Sequence, residues 1–93
     1  METPDNLNAF SMTLEARDRS RNIARRWQVR ADPDLFGWLI VERSWGRIGT
    51  ASRSIVEAFS DETTARQAIA RMLARRATAK ARIGVPYQLA SGD

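Results

Sequence analysis

RSWGRIGT, residues 43 to 50, stands where one run of strand-forming residues gives way to another. WLIVERSW, Trp38 to Trp45, leads into it, and TASRSIVEAF, Thr50 to Phe59, leads out. A short connection between two such runs reads as a hairpin, with GRIG, Gly46 to Gly49, as the turn, because both glycines can take positive φ without a Cβ penalty. A tip of this composition has chemistry to offer. The flat ring of Trp45 can lie against a base or sugar, and the planar donors of Arg47 suit a phosphate.

Outward from the tip, the period-2 pattern continues toward the N-terminus. Leu39 and Val41 share one face of the third strand with Arg43, while Trp38, Ile40, Glu42 and Ser44 take the other. In the fourth strand Ile55 and Glu57 oppose Val56 and Ala58, and the phase near the turn leaves the face of Arg53 open. DPDLFG, Asp32 to Gly37, is too short for anything but another hairpin, and its two aspartates read as turn residues, not as a catalytic pair. Before it, IARRWQVRA alternates Trp27, Val29 and Ala31 against arginines and Gln28, and NAFSMTLEARD alternates Phe10, Met12, Leu14 and Ala16 against polar residues. Trp27 and Trp38 read as core anchors, since a tryptophan in a small β domain buries a large apolar area.

After Phe59 the period changes to 3.6. Ser60 or Asp61 caps a helix along DETTARQAIARMLARRATAKAR, with Ala65, Ala68, Ile69, Met72, Leu73 and Ala77 forming the apolar stripe that covers the sheet. Gly84 and Pro86 end it, and Tyr87 to Leu89 read as a short docking segment. The expected fold is α+β: a four-stranded antiparallel sheet with one C-terminal helix packed on a face. Residues 1–7 read as a loose tail, 8–89 as the domain and 90–93 as a frayed end.

Composition narrows the function. The chain has 93 residues, enough for one domain with one modest core. It contains no cysteine and no histidine, which removes thiolate chemistry, the usual general base and the commonest metal ligand. No Gly-rich phosphate loop precedes a helix. The expectation is therefore a protein without enzymatic activity, cofactor or metal. No apolar run approaches a membrane span and no secretory leader opens the chain, so the expected location is the cytoplasm. Charge is unevenly spread: Arg17 is the one cation in residues 1–18, against Glu2, Asp5, Glu15 and Asp18, so nearly all of the 15 Lys and Arg lie beyond them. All but Lys80 are arginine, the residue best suited to bidentate phosphate contact and base stacking.

ERSWGRIGT, Glu42 to Thr50, resembles the signature of the WGR domain, a small module named for its Trp-Gly-Arg and found in poly(ADP-ribose) polymerases and in short bacterial proteins. The likeness runs from Asn8 to Gln88: a tryptophan-bearing strand before the motif, a strand after it, then a helix and a closing Gly84 and Tyr87. Ala51, Ser52 and Arg53 depart from the Gly-plus-polar residues common in the family after the motif. The resemblance implies binding near DNA ends, with the motif tryptophan against a terminal nucleotide and the arginine joining DNA to neighbouring domains.

Together these readings point to nucleic-acid binding, DNA ends or breaks by resemblance, through Trp45, Gly46 and Arg47, with Arg43, Arg53 and the helix arginines as further candidates. Whether DNA or RNA is the ligand stays open. Arg47 could instead pair with Asp32 or Asp34. The alternative function is a protein-interaction adaptor docking through the same tip, which an exposed apolar patch joining Trp45 to Ile48 would favour. The chain is expected to be a monomer without membrane contact, with pairing of an exposed edge strand as a third possibility.

Overall fold

The computed structural model describes Leu7 and the backbone from Ala9 to Gly92. Residues 1–6, Asn8 and Asp93, and with them most of the expected N-terminal tail, lie outside the described residues. The order is β1 (Phe10–Asp18), a 3₁₀ turn (Arg19–Arg21), β2 (Ile23–Pro33), β3 (Leu39–Arg47), β4 (Arg53–Phe59), α1 (Glu62–Ala77), α2 (Ala79–Ile83) and β5 (Gln88–Gly92). The class is α+β with an antiparallel sheet and a helix packed on it, but the sheet has five strands, not four, in the order β4-β3-β2-β1-β5.

The added strand is β5, which pairs antiparallel with β1 through Leu14↔Leu89 and Glu15↔Gln88 and shifts register between Thr13 and Leu14. It takes in Tyr87's successor Gln88 and continues through residues read from sequence as the chain's frayed end. QLASG carries no alternation to betray a strand. A segment that adds to an existing edge draws its order from the partner's backbone hydrogen bonds, so its side chains need little pattern.

The core sits between one sheet face and α1. Phe10, Leu14 and Ala16 of β1, Trp27, Val29 and Ala31 of β2, and Leu39 and Val41 of β3 are buried against Ala65, Ala68, Ile69, Met72 and Leu73 of α1. Each of the larger side chains contributes roughly 1.5–3 kcal/mol on burial. Leu7 is also buried, so the expected loose tail ends inside the core. Trp38 was expected in the core and is not there: it precedes β3, faces away from Leu39 and is 46% exposed. Period-2 alternation puts it on the face that no helix covers. The adjoining loop leaves Leu35 and Phe36 98% and 86% exposed, held by Asp34, whose Oδ1 accepts from the backbone N–H of Phe36 at 2.8 Å and Trp38 at 3.0 Å.

Asp61 is the helix cap, accepting from Thr64 N at 2.8 Å and Thr64 Oγ1 at 3.0 Å. The single expected helix is two. α1 stops at Ala77, which is exposed and not part of the buried stripe, and Thr78 turns its hydroxyl back to donate to the Arg75 carbonyl at 2.9 Å. Such back-bonding competes with the helical ladder. α2 then ends at Gly84, in the left-handed region at φ 84°. Arg21 Nη2 donates to the Gly84 carbonyl at 2.8 Å and its Nε to Asp18 Oδ2 at 2.7 Å, tying the corner between β1 and β2 to the end of the helical segment. Among the described residues no helix is long and apolar enough to cross a membrane.

Candidate nucleic-acid interface

The hairpin around the motif differs from the expected one. β3 runs through Arg47, so Gly46 and Arg47 are strand residues, and the turn follows them at Ile48, Gly49 and Thr50. Gly49 supplies the positive φ, 84°, whereas Gly46 does not. Nor does close packing demand a glycine at 46: a Cβ there would stand 3.4 Å from the Ala51 carbonyl oxygen and 3.5 Å from Ser52 Cα, ordinary contact where the chain returns toward β4. Thr50 closes the turn, its N–H and hydroxyl both donating to the Arg47 carbonyl at 3.1 Å and 2.8 Å.

Trp45 is therefore not at a tip. It lies between Trp27 of β2 and Arg53 of β4 in the ladder and is half-buried against the core. Directly paired residues of an antiparallel sheet share a face, which puts Trp27, Arg43, Trp45, Arg47 and Arg53 on the side that carries the helices. That resolves Arg53, which is exposed there. Arg47 is exposed too, and its partner is neither Asp32 nor Asp34. Its Nη2 donates to Asn22 Oδ1 at 2.8 Å and its Nη1 to the Asn22 carbonyl at 3.3 Å. Asn22 reaches it from a left-handed conformation, φ 53°, that asparagine tolerates. Asp32 is occupied elsewhere, accepting from Ala9 N at 3.1 Å, and Asp34 organises its own loop.

Across from this strand stand the arginines of the helical segment. The Arg76 guanidinium lies over the Trp27 ring, 4.7 Å from its centroid. A cleft of about 490 Å³ opens between, lined from the sheet by Asn22, Trp27, Trp45, Gly46 and Arg47 and from the helices by Arg75, Arg76 and Arg82, with Tyr87 beyond them. Arg25 and Arg26 bring its arginines to six, and among the described residues no carboxylate lines it. Burial pushes the Arg76 guanidinium below its ordinary pKa; Arg75, Arg82 and Arg43 push the same way, against Tyr87, which raises it. Converging cations without a counter-charge favour an anion in their midst.

Trp45, Gly46 and Arg47 thus come together in one cleft. Arg43 lies in an adjoining groove of about 340 Å³ with Trp45, Arg75 and Arg76, and pairs with Glu57 at 3.7 Å. Arg53 neighbours Trp45 without lining either space. Asn22, Arg25, Trp27 and Tyr87 are lining residues that sequence reasoning missed. Trp27 was read as core, and it is fully buried, lying behind the cleft wall under Arg76. Its indole Nε1 finds no acceptor among the described residues.

The comparisons with known proteins agree with this architecture. Over 56 residues the chain is 39% identical to uncharacterized protein y4dW of Sinorhizobium fredii, an alignment covering 60% of this chain and 28% of that protein. The chain thus spans less than a third of that relative's length. No solved structure matches. The model of the WGR domain matches residues 10–81, from the first residue of β1 into α2. With that match covering the motif strand, its sheet neighbours and the helix opposite, the chain belongs to the WGR domain family, a nucleic-acid-binding type of module.

Proposed function

We propose that this chain binds nucleic acid, DNA at ends or strand breaks, in the arginine-lined cleft beside Trp45, without catalysing a reaction. The observation that carries the reading is the cleft itself: six arginines and, among the described residues, no carboxylate, with half-buried Trp45 and Tyr87 in its lining. Guanidinium groups take phosphates bidentately, and aromatic rings take bases or sugars, so one strand can satisfy both. The accessible part of the Trp45 ring is the stacking surface, and Arg47 is a phosphate donor already oriented by Asn22. Arg75, Arg76 and Arg82 supply charge from the opposite side; Arg43 and Arg53 extend it along Trp45. The ends-and-breaks specificity rests on the family resemblance. An exposed apolar patch joining Trp45 to Ile48 would favour the adaptor reading; Ile48 is half-buried, and the arginines around Trp45 favour nucleic acid.

The test is titration into a fluorescent DNA duplex carrying a nick or a free end, at two salt concentrations, with Trp45→Ala and Arg47→Ala alongside an intact circle and a single-stranded RNA. Binding should weaken steeply with salt, because neutralised phosphates release counterions. Trp45→Ala should lose about 1–3 kcal/mol, the range for one stacked base. Absence of binding at low salt, or mutants binding as well as wild type, would overturn the reading and turn the search to protein partners.

A further inference from the structure

We infer that β4 is a self-pairing edge, and that two copies of the chain join their sheets through it in one defined register. β4 is one of the two outer strands, and the two differ in kind. β5 is short and shifts register against β1, whereas β4 runs seven residues against β3 with no shift. An edge presents unpaired backbone donors and acceptors, and proteins usually blunt it with lysine, proline or a bulge. β4, RSIVEAF, has none of the three, and its protection against foreign strands is the two charges Arg53 and Glu57. Its residues from Arg53 to Ala58 are all exposed, Ile55 at 42% and Val56 at 58%.

What selects a second copy as the occupant is the strand's charge pattern. Laid antiparallel against itself about Ile55, β4 sets Arg53 opposite Glu57 of the second copy, Ile55 opposite its own equivalent, and Glu57 opposite the second Arg53. Opposite charges facing across strands stabilise a pairing, and like charges oppose it. Centred on Val56 instead, Arg53 would meet Phe59 and Glu57 would meet Ile55, with neither charge matched. The same two charges that deter a foreign strand therefore fit this strand in one register. Glu57 also keeps its bond to Arg43 within its own chain, so each carboxylate would lie between two guanidinium groups.

Pairing in this register makes one continuous sheet with both helical layers on the same side, since Ile55 and its equivalent share a face. On the nucleic-acid reading, two arginine clefts would then point the same way and the assembly would bind bivalently. The dimer itself does not depend on that reading.

The chain has no cysteine, so single cysteines report the register directly. Directly opposed residues in an antiparallel pair have Cα atoms about 4.5–5.5 Å apart, within disulfide range, whereas diagonal ones stand about 7–8 Å apart, outside it. Under mild oxidation Ile55→Cys should form a linked dimer fastest, ahead of Ser54→Cys and Val56→Cys, which share the strand and control for folding and random collision. In sedimentation equilibrium, Arg53→Glu should weaken the unlinked dimer and the double variant Arg53→Glu/Glu57→Arg should restore it. A chain that stays monomeric at every concentration, three cysteines that link equally, or a charge swap that fails to rescue would each overturn the proposal.

Discussion

The Arg76 guanidinium stacks over the Trp27 ring at 4.7 Å, so a cation of the helix rests on a fully buried side chain of the central strand. Stacking uses the face of the guanidinium and leaves its N–H edge free to donate in the plane. Among the described residues Arg76 has no carboxylate partner. One residue therefore serves packing and charge at once, and two substitutions separate these roles. Arg76→Lys keeps the charge and loses the plane; Arg76→Met keeps most of the packing and loses the charge. Arg76→Met should reduce the slope of log affinity against log salt by about 1, the value for one phosphate contact, measured by titration of labelled DNA. Arg76→Lys should keep the slope and lower stability by about 0.5–2 kcal/mol through the weakened cation–π contact, measured by denaturant unfolding.

The two glycines of the motif should behave differently. Gly49→Ala forces an L side chain into φ 84° and should cost about 1–2 kcal/mol in denaturant unfolding. Gly46→Ala meets its neighbours at ordinary van der Waals distance and should change stability by no more than about 0.5 kcal/mol. If Gly46 instead proves the costlier site, the turn is not where the backbone puts it.

Gly84→Ala combines two penalties, since the residue sits at φ 84° and its Cβ would fall on the Arg21 guanidinium. Backbone strain alone is about 1–2 kcal/mol. The displaced Arg21 also loses its bond to the Gly84 carbonyl, so the loss in thermal or chemical unfolding should exceed that of Gly49→Ala.

Asp18 carries the pH dependence of the same corner. Hydrogen bonds from the Ser20 hydroxyl and from Arg21 bring its carboxyl from 3.8 down to about 2. A depressed folded-state pKa stabilises above the unfolded value and ceases to as pH falls through the folded one. The difference in melting temperature between wild type and Asp18→Asn should therefore be constant above pH 5 and shrink between pH 4 and pH 2. A difference that stays flat to pH 2 would show that the carboxylate charge is not what holds the corner.

Asp61→Ala removes the cap of α1. It should cost about 0.5–2 kcal/mol, measured by thermal unfolding, with Asp61→Asn recovering much of it because asparagine caps nearly as well.

Much of this was legible in the residues, for identifiable reasons. Alternation exposed β1 and β2 because each buries one face, and the 3.6 period exposed α1 because its stripe from Ala65 to Leu73 is continuous. Trp38 misled because its size reads as a core anchor, whereas the alternation with Leu39 already turns it to the other face, which no helix covers. Gly46 and Gly49 misled together, since a glycine in an ordinary strand conformation and one needed for positive φ are the same letter. β5 was hidden because its order comes from β1. The cleft was half visible: Trp45 and Arg47 came from the motif, but their partners Asn22 and Arg76 lie 25 and more residues away, and only the sheet register and the helix placement bring them near.

The three tryptophans occupy three distinct environments: Trp27 sealed beneath Arg76, Trp45 half-buried in the cleft, and Trp38 largely open at the far end of the hairpin between β2 and β3. The ladder from Trp45 back to Leu39 spans roughly 20 Å at about 3.4 Å per residue, so Trp38 stands clear of any occupant of the cleft. The molecule therefore contains its own optical gauge. Emission from Trp27 and Trp45 should respond when the cleft fills, while Trp38 supplies an internal reference within the same spectrum, and no dye need be attached to watch a ligand arrive.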